Sequence, residues 1–231
     1  MIDFDHVSKI YYSSDGQHVG LDDATIHIEP GEFVFLVGES GAGKSTLIKL
    51  ITKEIDPDEG EIYVDGERIT KLSNRRIPML RRKIGIVFQN FKLLPNMTVY
   101  ENVAFAMEVV HLTGRTIKRQ VPTVLQMMGI EDKASNFPNE LSAGEQQRVA
   151  IARAIINHPK LIIADEPTGN LDPDTAWEIM QLLEMINQKG TTVLIVTHDK
   201  GIVDRMGKRV VAVSKGRIVR DQQEGDYGYD D

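Results

Sequence analysis

The chain has no cysteine. That absence removes disulfides and thiolate metal sites together, so any metal must be held by oxygen or imidazole ligands, and a reducing compartment suits the composition. Positive charge is not in surplus either: 27 Lys and Arg stand against 34 Asp and Glu, a formal net charge of −7. Clustered cations drive binding to phosphate backbones and anionic lipid, so this balance argues against a surface devoted to either, and no nucleic-acid partner is expected. No apolar run approaches the roughly 20 residues that cross a bilayer. The start, "MIDFDHVSKIYY", lacks the charged-then-apolar pattern of a secretory leader. The expectation is a soluble chain that needs another molecule to hold it at a membrane. What 231 residues do supply is length for one domain with a subdomain, enough to bury most of its apolar surface.

Short apolar runs bounded by turn residues recur at 33–38, 84–88, 161–165, 192–197 and 209–216. Several are apolar at every position, which suits strands buried on both faces of a parallel sheet. Between about 91 and 157 the β-branched runs stop, and helical spacing takes over in "VYENVAFAMEVVHL" and "TIKRQVPTVLQMMG". A helical subdomain is expected there, with Pro122 kinking its helix or starting a new one. The first 30 residues and "GEIYVDGERI" at 60–69 read as an antiparallel β subdomain. The fold class is therefore α/β. One domain is expected over 1–220, followed by a solvated acidic tail over 221–231.

The chemistry concentrates at strand ends. "GESGAGKST" at 38–46 follows a buried strand and precedes the helix-like "TLIKLIT", the context of a P-loop. Gly38, Glu39, Ser40, Gly41, Ala42, Gly43, Lys44, Ser45 and Thr46 are its candidate nucleotide-binding residues: the glycines let backbone N–H groups approach phosphate, and Lys44 reaches the β- and γ-phosphates. Mg²⁺ is expected on Ser45, with Asp165 at the end of "LIIAD" and Gln89 after "IGIVF" as further ligands. Glu166, pointing the other way from Asp165, is the candidate base for an attacking water, and His198 after "TVLIVT" a donor to the γ-phosphate. Gln89 and His198 gain value only as members of this set. Tyr11 or Tyr12 could stack on an adenine.

"LSAGEQQR" at 141–148 reads locally as a capping box, with Ser142 and Glu145 launching a helix. P-loop, Gln, signature, acidic strand end and His together resemble the ATP-binding-cassette (ABC) ATPases, over nearly the whole chain to about Ser214. The resemblance implies a P-loop ATPase that uses ATP and Mg²⁺. It also implies that Ser142, Ala143, Gly144 and Glu145 close over the nucleotide of a second copy, so that the ATP-bound form is a homodimer, and that Asp172 in "NLD" belongs to the D-loop. Two positions depart from the usual LSGGQ. Ala143 takes the place of a glycine, and Glu145 in place of Gln keeps the capping role, with its charge expected to be set off by Arg148. Longer stretches, among them "NFPNELSAGEQQRVAIARAI" and "ADEPTGNLDP", resemble the cell-division branch of the family. That branch implies an integral membrane partner resembling FtsX and a cytoplasmic protein held on the inner face of the membrane through it. The ATPase of a lipoprotein or macrolide exporter is the alternative; a soluble cassette of DNA repair or translation lacks its usual coiled coils here. A docking groove for the partner is expected near residues 91–103, with Leu93, Leu94, Met97 and Tyr100 along it.

Overall fold

The computed structural model describes residues 1–13 and 16–228. An N-terminal hairpin, β1 (Ile2–Ser13) and β2 (Gly16–Ile28), joins β4 (Glu59–Val64) and β5 (Glu67–Arg68) in an antiparallel sheet of order β2-β1-β4-β5. A second sheet holds β3 (Phe33–Val37), β6 (Ile84–Phe88), β7 (Leu161–Asp165), β8 (Thr192–Val196), β9 (Arg209–Ser214) and β10 (Arg217–Gln222) in the order β10-β9-β3-β8-β7-β6. All of its pairings are parallel except the β9–β10 hairpin.

Every residue of β3 and β8 is buried, because alternate side chains serve two different cores. Phe33, Phe35 and Val37 enter one cluster with the helices that follow β6, while Val34 and Leu36 enter the other with the antiparallel sheet and α1 (Lys44–Ile51). Each such apolar side chain contributes about 1.5–3 kcal/mol on burial, and the one polar residue of these two strands, Thr192 at the start of β8, accepts a hydrogen bond from Gly31 N at 2.9 Å. Parallel pairing also puts the C-terminal ends of β3, β6, β7 and β8 along one sheet edge, where α/β folds bind ligands.

A short α2 (Ile77–Arg81) precedes β6. Between β6 and β7 the described elements are helical: α3 (Val99–Glu108), α4 (Gly114–Met127), α5 (Ala143–Ile155) and two short 3₁₀ turns. α6 (Pro173–Gln188) and α7 (Lys200–Met206) flank β8. Pro122 does not start a new helix, since α4 runs through it. Ile117, Val121, Val124 and Leu125 bury one face along both halves, and the carbonyl that loses its proline partner belongs to the exposed Lys118, where water can satisfy it.

The acidic end is not a free tail. Asp221 and Gln222 belong to β10, Asp221 pairs with the buried Arg209, Gly225 N donates to Lys208 O (3.1 Å) and Tyr227 N to Asp204 Oδ1 (2.7 Å). Arg209 also donates to Glu32 and the His27 carbonyl, so one buried cation gathers Asp221 with two other acceptors. Tyr229, Asp230 and Asp231, also assigned to the tail, lie outside the described residues.

Candidate active site

β3 ends in a loop that wraps a cleft of about 430 Å³ before α1 begins. Gly38 opens it with φ 147°, and a Cβ there would stand 2.2 Å from Val213 O on the neighbouring β9, so only glycine lets the loop leave the sheet here. Gly38, Ser40, Gly41, Gly43, Lys44, Ser45 and Thr46 line the cleft. Glu39 and Ala42 do not: Ala42 is buried, with its carbonyl accepting from Gly216 N (2.8 Å), and the Glu39 carbonyl accepts from Lys44. Lys44 Nζ donates to Gly38 O (2.5 Å) and Glu39 O (2.8 Å). Burial pushes this ammonium below the usual lysine range, while Glu166 and Asp165 act in the opposite direction.

Asp165 and Glu166 line the same cleft, contrary to the alternation expected along a strand. The strand stops at Asp165, and Glu166 turns left-handed (φ 50°), its N–H donating to Val196 O at 2.9 Å. The turn breaks the two-residue period and brings both carboxylates to one side. Burial raises the Asp165 carboxyl above the ordinary carboxylate range; its neighbour Glu166 adds to this and Lys44 offsets part of it. Glu166 Oε1 lies 2.7 Å from His198 Nδ1. Gln89 also lines the cleft, with its carbonyl accepting from Asn170 Nδ2 (3.0 Å).

The donor set suits a hard cation that keeps part of its hydration. Among the described residues no group of three His, Cys, Asp or Glu could hold a metal, yet the half-buried Asp165, whose charge is disfavoured, shares the cleft with the Ser45 hydroxyl and the Gln89 amide. One carboxylate with neutral oxygens, completed by water and phosphate oxygens, is how Mg²⁺ is usually bound at nucleotide sites.

Three lining residues escape sequence reasoning: Val196 at the end of β8, and His18 and Gly20 of β2. The hairpin register carries the latter two in, since His18 pairs with Tyr11. Tyr11 itself does not line the cleft; its hydroxyl donates to Thr46 Oγ1 at 3.3 Å, which lays the ring beside the loop, whereas Tyr12 is 79% exposed. Counting register back from the turn was the available signal.

The signature residues lie outside this cleft. Ser142 N donates to Glu145 Oε2 (2.8 Å), and Ser142 Oγ accepts from Glu145 N (3.3 Å), the reciprocal capping box at the start of α5. The Ser142 N–H holds the Glu145 carboxyl below its usual range, helped by the Ser142 hydroxyl and then Lys133. Lys133, at 3.5 Å, and not Arg148, is the cation beside Glu145; Arg148 turns to Glu178 (2.7 Å) and the Met128 carbonyl (3.0 Å). A Cβ on Gly144 would meet Thr175 Cγ2 at 2.5 Å, so any larger residue here requires Thr175 to shift, independently of any ligand. Asp172 caps α6 through Thr175 N (3.0 Å).

The open apolar cleft on the helical side, about 450 Å³, is not at 91–103. Ile84, Ile86, Phe105, Val109, Val110 and the edge of Arg153 surround it. Leu93 and Tyr100 pack on the core, and the loop before α3 is pinned by the buried Asn102, whose amide bonds Leu94 N, Leu94 O and Met97 O.

Residues 21–169 match the ABC transporter family. The chain is 54% identical over 217 residues to the cell division ATP-binding protein FtsE of Streptococcus pneumoniae, covering 94% of each. Against FtsE of Bacillus subtilis it is 52% identical over 228 residues, 99% of each. A solved dimer of the ATP-binding cassette MJ0796, in a post-hydrolysis state bound to ADP and Pi, superposes with a TM-score of 0.87 at 37% identity, over 99% of this chain and 100% of that one.

Proposed function

Since the chain belongs to the ABC transporter family and is an ATPase, we propose that it is the ATP-hydrolysing subunit of an FtsE-like cell-division machine. In this reading two copies close over ATP, and turnover moves an integral membrane partner resembling FtsX, which holds the ATPase on the inner face of the cell membrane and governs peptidoglycan hydrolysis. One observation carries the two-copy reading: Ser142 to Glu145 stand outside the cleft of their own chain, at an exposed helix start. A helix N-terminus presents N–H groups suited to an anion, and this one lies outside its own chain's cleft, open to the nucleotide of another.

Within one chain the roles divide by atom. Lys44 exchanges its two loop carbonyls for phosphate oxygens, joining the N–H groups between Gly38 and Thr46, and Tyr11 stacks on the adenine. Ser45, Gln89 and Asp165 hold Mg²⁺, which neutralises charge on the β- and γ-phosphates when bound. Glu166 orients the attacking water and accepts its proton. With Nδ1 turned to Glu166, Nε2 is the ring nitrogen of His198 left to meet the γ-phosphate. Asp172 holds the loop beside α6 against the second copy. Helices α3 to α5 form a unit between Gln89 and β7, and the apolar cleft beside α3 receives the membrane partner.

The test is co-purification with the membrane partner. Val109→Glu, on the 54% exposed side chain at the cleft, should abolish association and leave ATP binding intact; retained association would move the docking surface elsewhere. Analytical ultracentrifugation of Glu166→Gln with ATP should show a dimer, and a monomer at high protein concentration would exclude the two-copy site.

A further inference from the structure

Arg153, near the end of α5, reaches away from its own helix. Its Nη2 donates to Phe91 O at 2.8 Å and its Nη1 to Lys92 O at 2.7 Å. Both carbonyls belong to left-handed residues, Phe91 at φ 55° and Lys92 at φ 46°. A side chain with a Cβ disfavours that region, and neither residue is one of the types that visit it readily. Two in succession persist only where the surroundings hold them. The local bonds are slight: Phe91 N donates to Phe88 O (3.0 Å) and Lys92 N to Asn90 O (2.5 Å). A guanidinium offers a planar fork that serves two neighbouring carbonyls at once, which an ammonium cannot match.

The turn so held begins at β6 and contains Gln89, which lines the nucleotide cleft. The helix that holds it begins at Ser142. Arg153 also borders the apolar cleft. One side chain therefore connects the signature helix, the nucleotide-facing turn and the apolar cleft.

We propose that Arg153 is a positioning residue for ATP hydrolysis: by clamping Phe91 and Lys92 in their left-handed turn it sets Gln89 in the nucleotide cleft. The proposal rests on the assignment of Gln89 to Mg²⁺ and the reacting phosphate. Arg153 touches no part of the nucleotide cleft itself, so its loss acts on turnover and not on affinity.

The experiment compares Arg153→Gln, Gln89→Ala and the double variant Arg153→Gln with Lys92→Gly, well below their melting temperatures. In Arg153→Gln, amide exchange over residues 89–93 should rise and kcat at saturating MgATP should fall about tenfold, the cost of a misplaced group, with Kd for ATP within about twofold. Glycine occupies the left-handed region without penalty, so adding Lys92→Gly should return kcat to within about threefold of wild type. A residue needed only to fill space would show no such rescue. If Gln89→Ala hydrolyses ATP at the wild-type rate, the assignment of Gln89 fails and the proposal with it. If Gln89→Ala is slow but Arg153→Gln is normal, or exchange over 89–93 is unchanged, or Lys92→Gly restores nothing, Arg153 does not position the turn. Should Arg153→Gln not fold, Arg153→Lys, with a single donor group, carries the same comparison.

Discussion

The P-loop cleft and the start of α5 are both helix N-termini, and they differ in what they leave unmet. In the cleft, Lys44 spends its donors on two carbonyls of its own loop, Asp165 is half-buried beside a second carboxylate, and Glu166 holds a left-handed turn. Each of these carries a cost that a polyanion with its cation would offset. At the start of α5, Ser142 and Glu145 satisfy each other, Lys133 stands beside the carboxylate, and Ser142 is exposed. One region holds unmet charge and strain; the other satisfies its own polar groups.

The comparison breaks most completely at Lys44. Lys44→Ala should abolish ATP binding measured by calorimetry, since the remaining loop has no cation to replace it; wild-type affinity would exclude the cleft as the site. Glu166→Gln should bind ATP and lose about 10²- to 10⁴-fold in kcat, the range for a general base, because Asp165 and the loop are untouched. Turnover at the wild-type rate would assign the base elsewhere.

At the other region the effects are smaller and concern packing. Gly144→Ala should destabilise the fold by about 1–3 kcal/mol in urea unfolding, as overpacking does, because its methyl collides with Thr175 Cγ2. Thr175→Ser removes that methyl, and the pair should recover most of the loss; a lack of coupling would mean that Gly144 is required for another reason. The smallest effect is acid dependence. The Ser142 N–H depresses the Glu145 carboxyl, so its contribution is complete above the unfolded value of about 4.3 and disappears as pH falls through the lower folded value. Glu145→Gln keeps the capping geometry but has no proton to take up, so its stability should fall less steeply over that window in thermal melts.

Much of this was legible before any coordinates. The runs at 33–38, 161–165 and 192–197 announced buried parallel strands because no polar residue interrupts them, and the capping box at Ser142 follows from residue types three apart. Arg148 could be named as the partner of Glu145 from helical spacing, but α6 supplies Glu178 to Arg148, and the segment before α5 supplies Lys133 to Glu145. Pro122 reads as a helix break until the burial of both flanks of α4 is known. The acids after Arg220 read as solvated until Arg209 is found buried beside them.

By itself the sequence determined which chemistry is present: the glycine-rich loop with its Lys and Ser, the paired acids, the Gln and the His, each at the end of an apolar run. These are local facts, set by backbone sterics and side-chain period over a few residues. Only the tertiary structure decided how they meet. Asp165 and Glu166 share one cleft because the Glu166 N–H finds Val196 O on the neighbouring strand. His18 enters through hairpin register, and Arg153 of α5 reaches Phe91 and Lys92 in the turn after β6. Contacts between residues far apart in the chain depend on how whole elements pack, and no local pattern specifies that.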